Sequence, residues 1–184
     1  MEIPATAYIG ERSQATFYTV ENDGKVLRVF GDVEMGFARK LADALDANPG
    51  VKHVALGSGG GLVKEAIEAA ILIRSRKLTT VLWNECYSAC TMVFLGGVDR
   101  EIWSPYPNLS FHQVSAEGKA LPSSHPIYKT IREFAYSMGA DGDAFVKLIL
   151  SSLPDKLTDA DLFDLCAAYI ATWVQRACSG GDRF

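Results

Sequence analysis

The chain reads as a single α/β domain built on a largely parallel sheet, and three observations predict it. Apolar strand-like runs alternate with helical patterns over nearly the whole length. No internal repeat, low-complexity tract or linker divides the 184 residues, a length that suits one domain. A balance of 48% apolar against 22% charged residues belongs to a chain that collapses around a core. The charge, 18 Lys plus Arg against 22 Asp plus Glu for a net −4, argues against nucleic acid as a partner, because it offers no phosphate-neutralising excess. No apolar run is long enough for a transmembrane segment, so none is expected.

Residues 1–14 are weakly patterned and read as an N-terminal tail or edge strand; the domain proper is expected over 15–178. Strand-like runs at 15–20 and 26–30 flank Glu21-Asn22-Asp23-Gly24-Lys25, a turn rich in residues that tolerate positive φ. Residues 35–47 carry Phe37, Ala38, Leu41, Ala44 and Leu45 at helical spacing, and Asn48-Pro49-Gly50 stops that helix. A strand over 51–56 leads into the tight turn Gly57-Ser58-Gly59-Gly60-Gly61. The helix after it, 62–73, is apolar nearly all round and is expected to be buried on most sides. A third parallel-type strand covers 78–83, a short helix over 88–95 closes on Gly96-Gly97, and 108–112 is the next strand. A polar loop over 116–126 precedes helical segments near 127–137 and 143–150. Thr158 is the expected N-cap of a last short helix ending at Leu165, 169–174 reads as a closing strand, and 179–184 as a C-terminal tail.

Three features fall at the ends of consecutive strands, where open α/β sheets place their sites. The glycine turn over 57–61 lies between strand and helix, so its N–H groups can serve an anion or an oxyanion; without a Lys-Ser/Thr pair after it, a phosphate loop is the weaker reading. Ser88 lies where a strand gives way to a helix of small residues. A hydroxyl there is either an N-cap or a nucleophile favoured by the helix dipole. His112 ends an apolar strand and is either a core histidine or a base. Together, a hydroxyl, an imidazole and a glycine turn on neighbouring strand ends are the parts that acyl transfer needs.

In chain order, Gly-Ser-Gly-Gly-Gly-Leu, Cys-Tyr-Ser-Ala-Cys-Thr and Phe-His-Gln resemble the Clp-protease/crotonase superfamily, and within it the bacterial periplasmic Clp-protease-like proteins with a Ser-Ala-Cys motif. The resemblance runs over residues 26–174 and implies a ClpP/crotonase-like ββα spiral. It implies a serine peptidase-like hydrolase that cleaves peptide bonds through an acyl-enzyme, with Ser88 as nucleophile and His112 as base. The backbone N–H groups of Gly60 and Ala89 would form the oxyanion hole. A peptide or protein substrate and a ring-forming homo-oligomer are implied as partners, with no cofactor. The carboxylate that would orient the histidine is expected ahead of the final short helix. Ungapped placement puts it on residues 148–151, which hold none, and Asp155 is the nearest candidate. Asp159, Asp161 and Asp164 read as solvated charges at a helix start. Without a carboxylate the alternative is a catalytically impaired binding or assembly protein of the same fold. A crotonase-type acyl-CoA enzyme shares the glycine turn but has no need of Ser88 and His112 together.

The four cysteines, Cys86, Cys90, Cys166 and Cys178, have no zinc-type spacing, and His53, His112 and His125 are scattered, so no metal site is expected. The cysteines are either buried thiols packing as small hydrophobes or one or two disulfides. Cys86 and Cys90 bracket Ser88 closely enough for a bridge, which would rigidify the turn that presents it; Cys166 and Cys178 flank the last strand. Disulfides would suit the periplasm or another extracytoplasmic space, although the first residues carry neither the basic nor the apolar region of a signal peptide.

Overall fold

The computed structural model describes residues 3–4 and 17–178. The expected tail over 179–184 lies outside the described residues; of 1–14, only Ile3–Pro4 lie within them, as an edge strand, β1. β2 (Phe17–Glu21) and β3 (Val26–Phe30) make an antiparallel hairpin. Its turn holds Asn22, Asp23 and Gly24 at φ 51°, 54° and 82°, the left-handed conformation these residue types tolerate best. α1 (Phe37–Ala47) buries Phe37, Leu41 and Leu45 on one stripe. Then come β4 (His53–Ser58), α2 (Val63–Ser75), β5 (Thr79–Tyr87) and α3 (Cys90–Leu95). β6 (Arg100–Ile102) and β7 (Leu109–Phe111) precede a small hairpin of β8 (Ser115–Ala116) and β9 (Lys119–Ala120). α4 (Pro126–Ser137), α5 (Gly142–Ile149), β10 (Lys156–Asp159), α6 (Leu162–Ala167) and β11 (Trp173–Val174) complete the order.

The main sheet runs β1-β10-β7-β5-β4-β3-β2, with β3, β4, β5 and β7 parallel. β5 serves two neighbours. Its first half pairs with β6 at Thr80–Leu82, and its end pairs with β7 through Cys86 and Tyr87. Between the two, Leu56 opposes Leu82 but Ser58 opposes Cys86, so three residues of β5 stand against one of β4. Such an insertion bends a strand and raises its local twist. A side chain at Gly57 would meet the bent segment, since a Cβ there would lie 2.7 Å from Asn84 Cβ. The bend explains why β5 continues to Tyr87, past the expected end at 83 where Asn84-Glu85 interrupts the apolar run. It also delays the following helix, which starts at Cys90 rather than Ser88.

All six residues of α3 are buried, and the glycine after it packs on α2: a Cβ on Gly96 would lie 2.6 Å from Ala70 Cα. The small face of α2, Ala66, Ala69 and Ala70 with Ile73, permits this close approach. Its opposite face is open, with Ile71 51% exposed, so the helix is not buried on most sides as its composition implied. Arg100 is 2% exposed and donates to the carbonyls of Gly97, Met138, Tyr169 and Ile170, while Arg74 donates to those of Leu95 and Met138. Two guanidinium groups thus satisfy carbonyls at the ends of several helices, where intrahelical partners run out. The last helix is capped by Asp161, which accepts from Phe163 and Asp164 N–H; the expected cap, Thr158, is part of β10 instead. The closing strand contracts to Trp173–Val174, paired with β6. Among the described residues no helix is long and apolar enough to cross a membrane.

Candidate active site

Because β5 ends against β7, the last residues of the two strands are neighbours. Ser88 N–H donates to Ser110 O at 2.9 Å, continuing the ladder one step past β5. The chain then turns sharply, and Ser88 takes φ 53°. A left-handed non-glycine residue costs about 1–2 kcal/mol and persists only when its surroundings over-determine it. Three further contacts do so. The Ser88 carbonyl accepts from Thr91 N–H at 3.0 Å and from Thr91 Oγ1 at 2.7 Å. Cys86 and Cys90, both buried, form a disulfide across the turn, with Cα atoms 5.3 Å apart. Beneath lies Gly60 at φ 99°, where a Cβ would come within 2.7 Å of both Ser88 Cβ and Tyr87 O. Cys166 and Cys178 form a second disulfide, at 6.0 Å, and no cysteine is free.

His112 follows β7 directly. Its Nδ1 faces the carbonyl of Gln113 at 2.8 Å, which puts the ring proton on Nδ1 and leaves Nε2 as an acceptor. Burial pushes the imidazole pKa below its ordinary value, with the Gln113 hydrogen bond opposing, so the ring is neutral near pH 7. Ser88, Ala89 and His112 line one cavity of about 300 Å³ with Gly61, Met92, Phe111 and Ile149. The Gly60 N–H, the expected oxyanion donor, is already given to Ser58 Oγ at 3.1 Å. The N–H groups of Gly61 and Ala89 have no hydrogen-bond partner among the described residues.

No hydrogen bond or ion pair joins the candidate orienting carboxylate to His112 among the described residues. Asp155 is exposed and makes no hydrogen bond or ion pair among the described residues. Segment 148–151, where the resemblance places a carboxylate, does lie beside the histidine's neighbour: Gln113 Nε2 donates to Leu150 O at 3.4 Å, and Gln113 N–H to Ser152 O at 2.8 Å. A backbone carbonyl, not a side chain, holds the imidazole. Asp159 was expected as a solvated helix-start charge, yet it accepts from Ser110 Oγ at 2.6 Å and from Asn108 Nδ2 at 3.0 Å. It therefore clamps the strand that carries His112. Its charge, after burial itself, raises the pKa of nearby Glu85. The polar alternation Asn108-Leu109-Ser110 in an otherwise apolar strand was the available signal for this clamp. The cavity also contains Ser115 and His125, which sequence reasoning did not single out for the site. No group of three or more ligating side chains suited to a metal occurs among the described residues.

No family model matches the chain, and no curated protein is detectably similar in sequence. Solved structures are similar in three dimensions. ClpP1 from Listeria monocytogenes superposes with a TM-score of 0.61 at 13% identity, over 83% of this chain and 91% of that one. A mutant of the same ClpP1 gives 0.53 at 14% identity over 83% and 91%. A mutant of the 1510-N membrane-bound stomatin-specific protease gives 0.54 at 14% over 82% and 78%. At this identity the likeness is one of architecture: the described domain is a mixed α/β fold of the Clp-protease type.

Proposed function

We propose that this protein is a serine peptidase acting through a Ser88–His112 dyad in an oxidising compartment outside the cytosol. The observation that carries the reading is Ser88 itself, a non-glycine residue held at φ 53° on the wall of a cavity that His112 shares. In this mechanism His112 Nε2 takes the Ser88 hydroxyl proton as Oγ adds to the scissile carbonyl carbon. The charge that develops on the carbonyl oxygen is met by the N–H groups of Ala89 and Gly61; Gly61 replaces Gly60 because the latter's N–H is engaged with Ser58. The imidazolium, its Nδ1–H held by Gln113, returns the proton to the leaving amine. Water, deprotonated by His112, then adds to the acyl carbon; the intermediate collapses with cleavage of the bond to Ser88 Oγ, which takes the proton back from His112 and frees the acid.

Leu62, Met92, Phe111 and Ile149 in the lining support a peptide substrate that places an apolar side chain in the cavity. Two disulfides support the extracytoplasmic location. Self-association is expected from the likeness to Clp-type proteases, and light scattering would read it as a mass above one chain. A fluorophosphonate probe is expected to label the wild type and not Ser88→Ala. Equal labelling of both would remove Ser88 from its role. That no carboxylate among the described residues bonds His112 favours a second reading, a binding or assembly protein with this fold, for which neither form is labelled.

A further inference from the structure

The cavity's polar side chains fall into two pairs. Ser88 and His112 are the first; Ser115, on β8, and His125, immediately before α4, are the second. The remaining lining is Met92, aliphatic and aromatic side chains, alanine and glycine. The dyad makes no use of the second pair. His125 Nδ1 accepts the N–H of Ile127 at 3.2 Å. A nitrogen that accepts carries no proton, so in the neutral ring the proton is on Nε2. His112 has the opposite tautomer, with Nδ1 facing the Gln113 carbonyl and Nε2 free to accept. One cavity therefore holds an accepting imidazole and a donating one. The His125 Nε2–H has no partner among the described residues.

The segment carrying His125 is fixed before anything binds. Leu121 N–H donates to Val114 O at 2.8 Å, His125 N–H to Pro122 O at 2.8 Å, and Tyr128 OH to Leu121 O at 3.2 Å. An apolar cavity supplies affinity without direction, and a few placed polar groups set the orientation of what it binds. We propose that His125 is the anchor of the substrate: its Nε2–H donates to an acceptor oxygen of the bound peptide, either a main-chain carbonyl or a terminal carboxylate. This deepens the peptidase reading and rests on it. His125 holds the chain in register while Ser88 and His112 act on it, so its contribution is to KM rather than kcat.

The test uses the full chain and a named probe, N-acetyl-trileucine, as the free acid and as the amide, measured by calorimetry. His125→Asn retains a side-chain acceptor for the cap of α4 and loses the Nε2–H. It is expected to bind the tripeptide roughly two- to tenfold more weakly, the usual effect of one neutral hydrogen bond, with an unchanged melting temperature. Weakening confined to the acid assigns the oxygen to the chain-end carboxylate, and equal weakening of both forms assigns it to a main-chain carbonyl. Unchanged affinity in His125→Asn, or no tripeptide binding by the wild type, overturns the anchor. Labelling of Ser88 by the fluorophosphonate is read separately, so a failure of the nucleophile is distinguishable from a failure of the anchor.

Discussion

Ser88 is held from four directions: a ladder bond to Ser110, two bonds from Thr91, a disulfide across its turn, and Gly60 packed beneath it. Among the described residues His112 is held by one hydrogen bond, which its Nδ1–H donates to the carbonyl of its own neighbour, and by the lining of a cavity. The two residues sit on adjacent strand ends of one sheet, so burial and strand geometry do not account for the difference. Local conformation does. Ser88 adopts a left-handed turn that costs free energy and must be enforced, whereas His112 extends from a strand end in a conformation any residue adopts. Constraint accumulates where the backbone is strained, and His112 is left with only enough to fix its tautomer.

Removing the imidazole gives the largest expected effect. His112→Ala should slow fluorophosphonate labelling of Ser88 by roughly 10²–10⁴-fold, the usual contribution of general base catalysis. Labelling at the wild-type rate would show that the single tether is not a catalytic one. Next comes the floor of the turn. Gly60→Ala places a Cβ 2.7 Å from Ser88 Cβ at a φ of 99°. Overpacking of this kind costs about 1–3 kcal/mol, and displacement of Ser88 should lower labelling about 10²-fold. A melting curve together with the labelling rate measures both; a variant with unchanged labelling would mean that Gly60 is not one of the enforcing contacts.

The two disulfides sharpen the comparison because stability and reactivity should separate. Chain entropy predicts about 2 kcal/mol from the Cys86–Cys90 bridge, which closes a loop of sequence separation 4, and about 3 kcal/mol from Cys166–Cys178, at separation 12. Cys166→Ala/Cys178→Ala should therefore cost more in denaturant midpoint yet leave Ser88 labelling unchanged. Cys86→Ala/Cys90→Ala should cost less in stability and slow labelling about tenfold, equivalent to 1.4 kcal/mol at the barrier. Equal labelling in the two double variants would reduce the first bridge to a structural staple.

What the sequence made legible follows the same division. The turn at 21–25, the glycine turn at 57–61 and the cysteines bracketing Ser88 each rest on local chemistry that residue types reveal. The fork of β5 between β6 and β7 was hidden, because Asn84-Glu85 breaks the apolar pattern and the choice of two partner strands is a tertiary outcome. Gln113 was hidden as the partner of His112 because a backbone carbonyl has no side-chain signature. Asp159 resembled Asp161, two residues on, until antiparallel pairing of β10 with β7 brought it opposite Ser110. Sequence reasoning therefore anticipated the turn around Ser88, where constraint is local, and missed the Gln113 carbonyl that meets His112, where it is not.

The smallest expected effect is the pH dependence of His112. Burial lowers its pKa below the unfolded value of about 6.5, so between the folded value and 6.5 the unfolded chain binds more protons than the folded one. Stability should consequently rise with pH through that window, be unaffected by this group above it, and carry the full penalty only below the folded value. Labelling requires the neutral ring, so its acid limb should also lie below pH 6.5. Ser88 has no titrating partner in its four contacts, and its geometry should be indifferent over the same range. A labelling profile combined with melting curves from pH 4 to 8 separates the two residues. A common midpoint below 6.5 assigns both changes to the imidazole. An acid limb at or above 6.5 would mean that His112 is solvated in the reactive state, and that the cavity wall gives way more readily than the turn it faces.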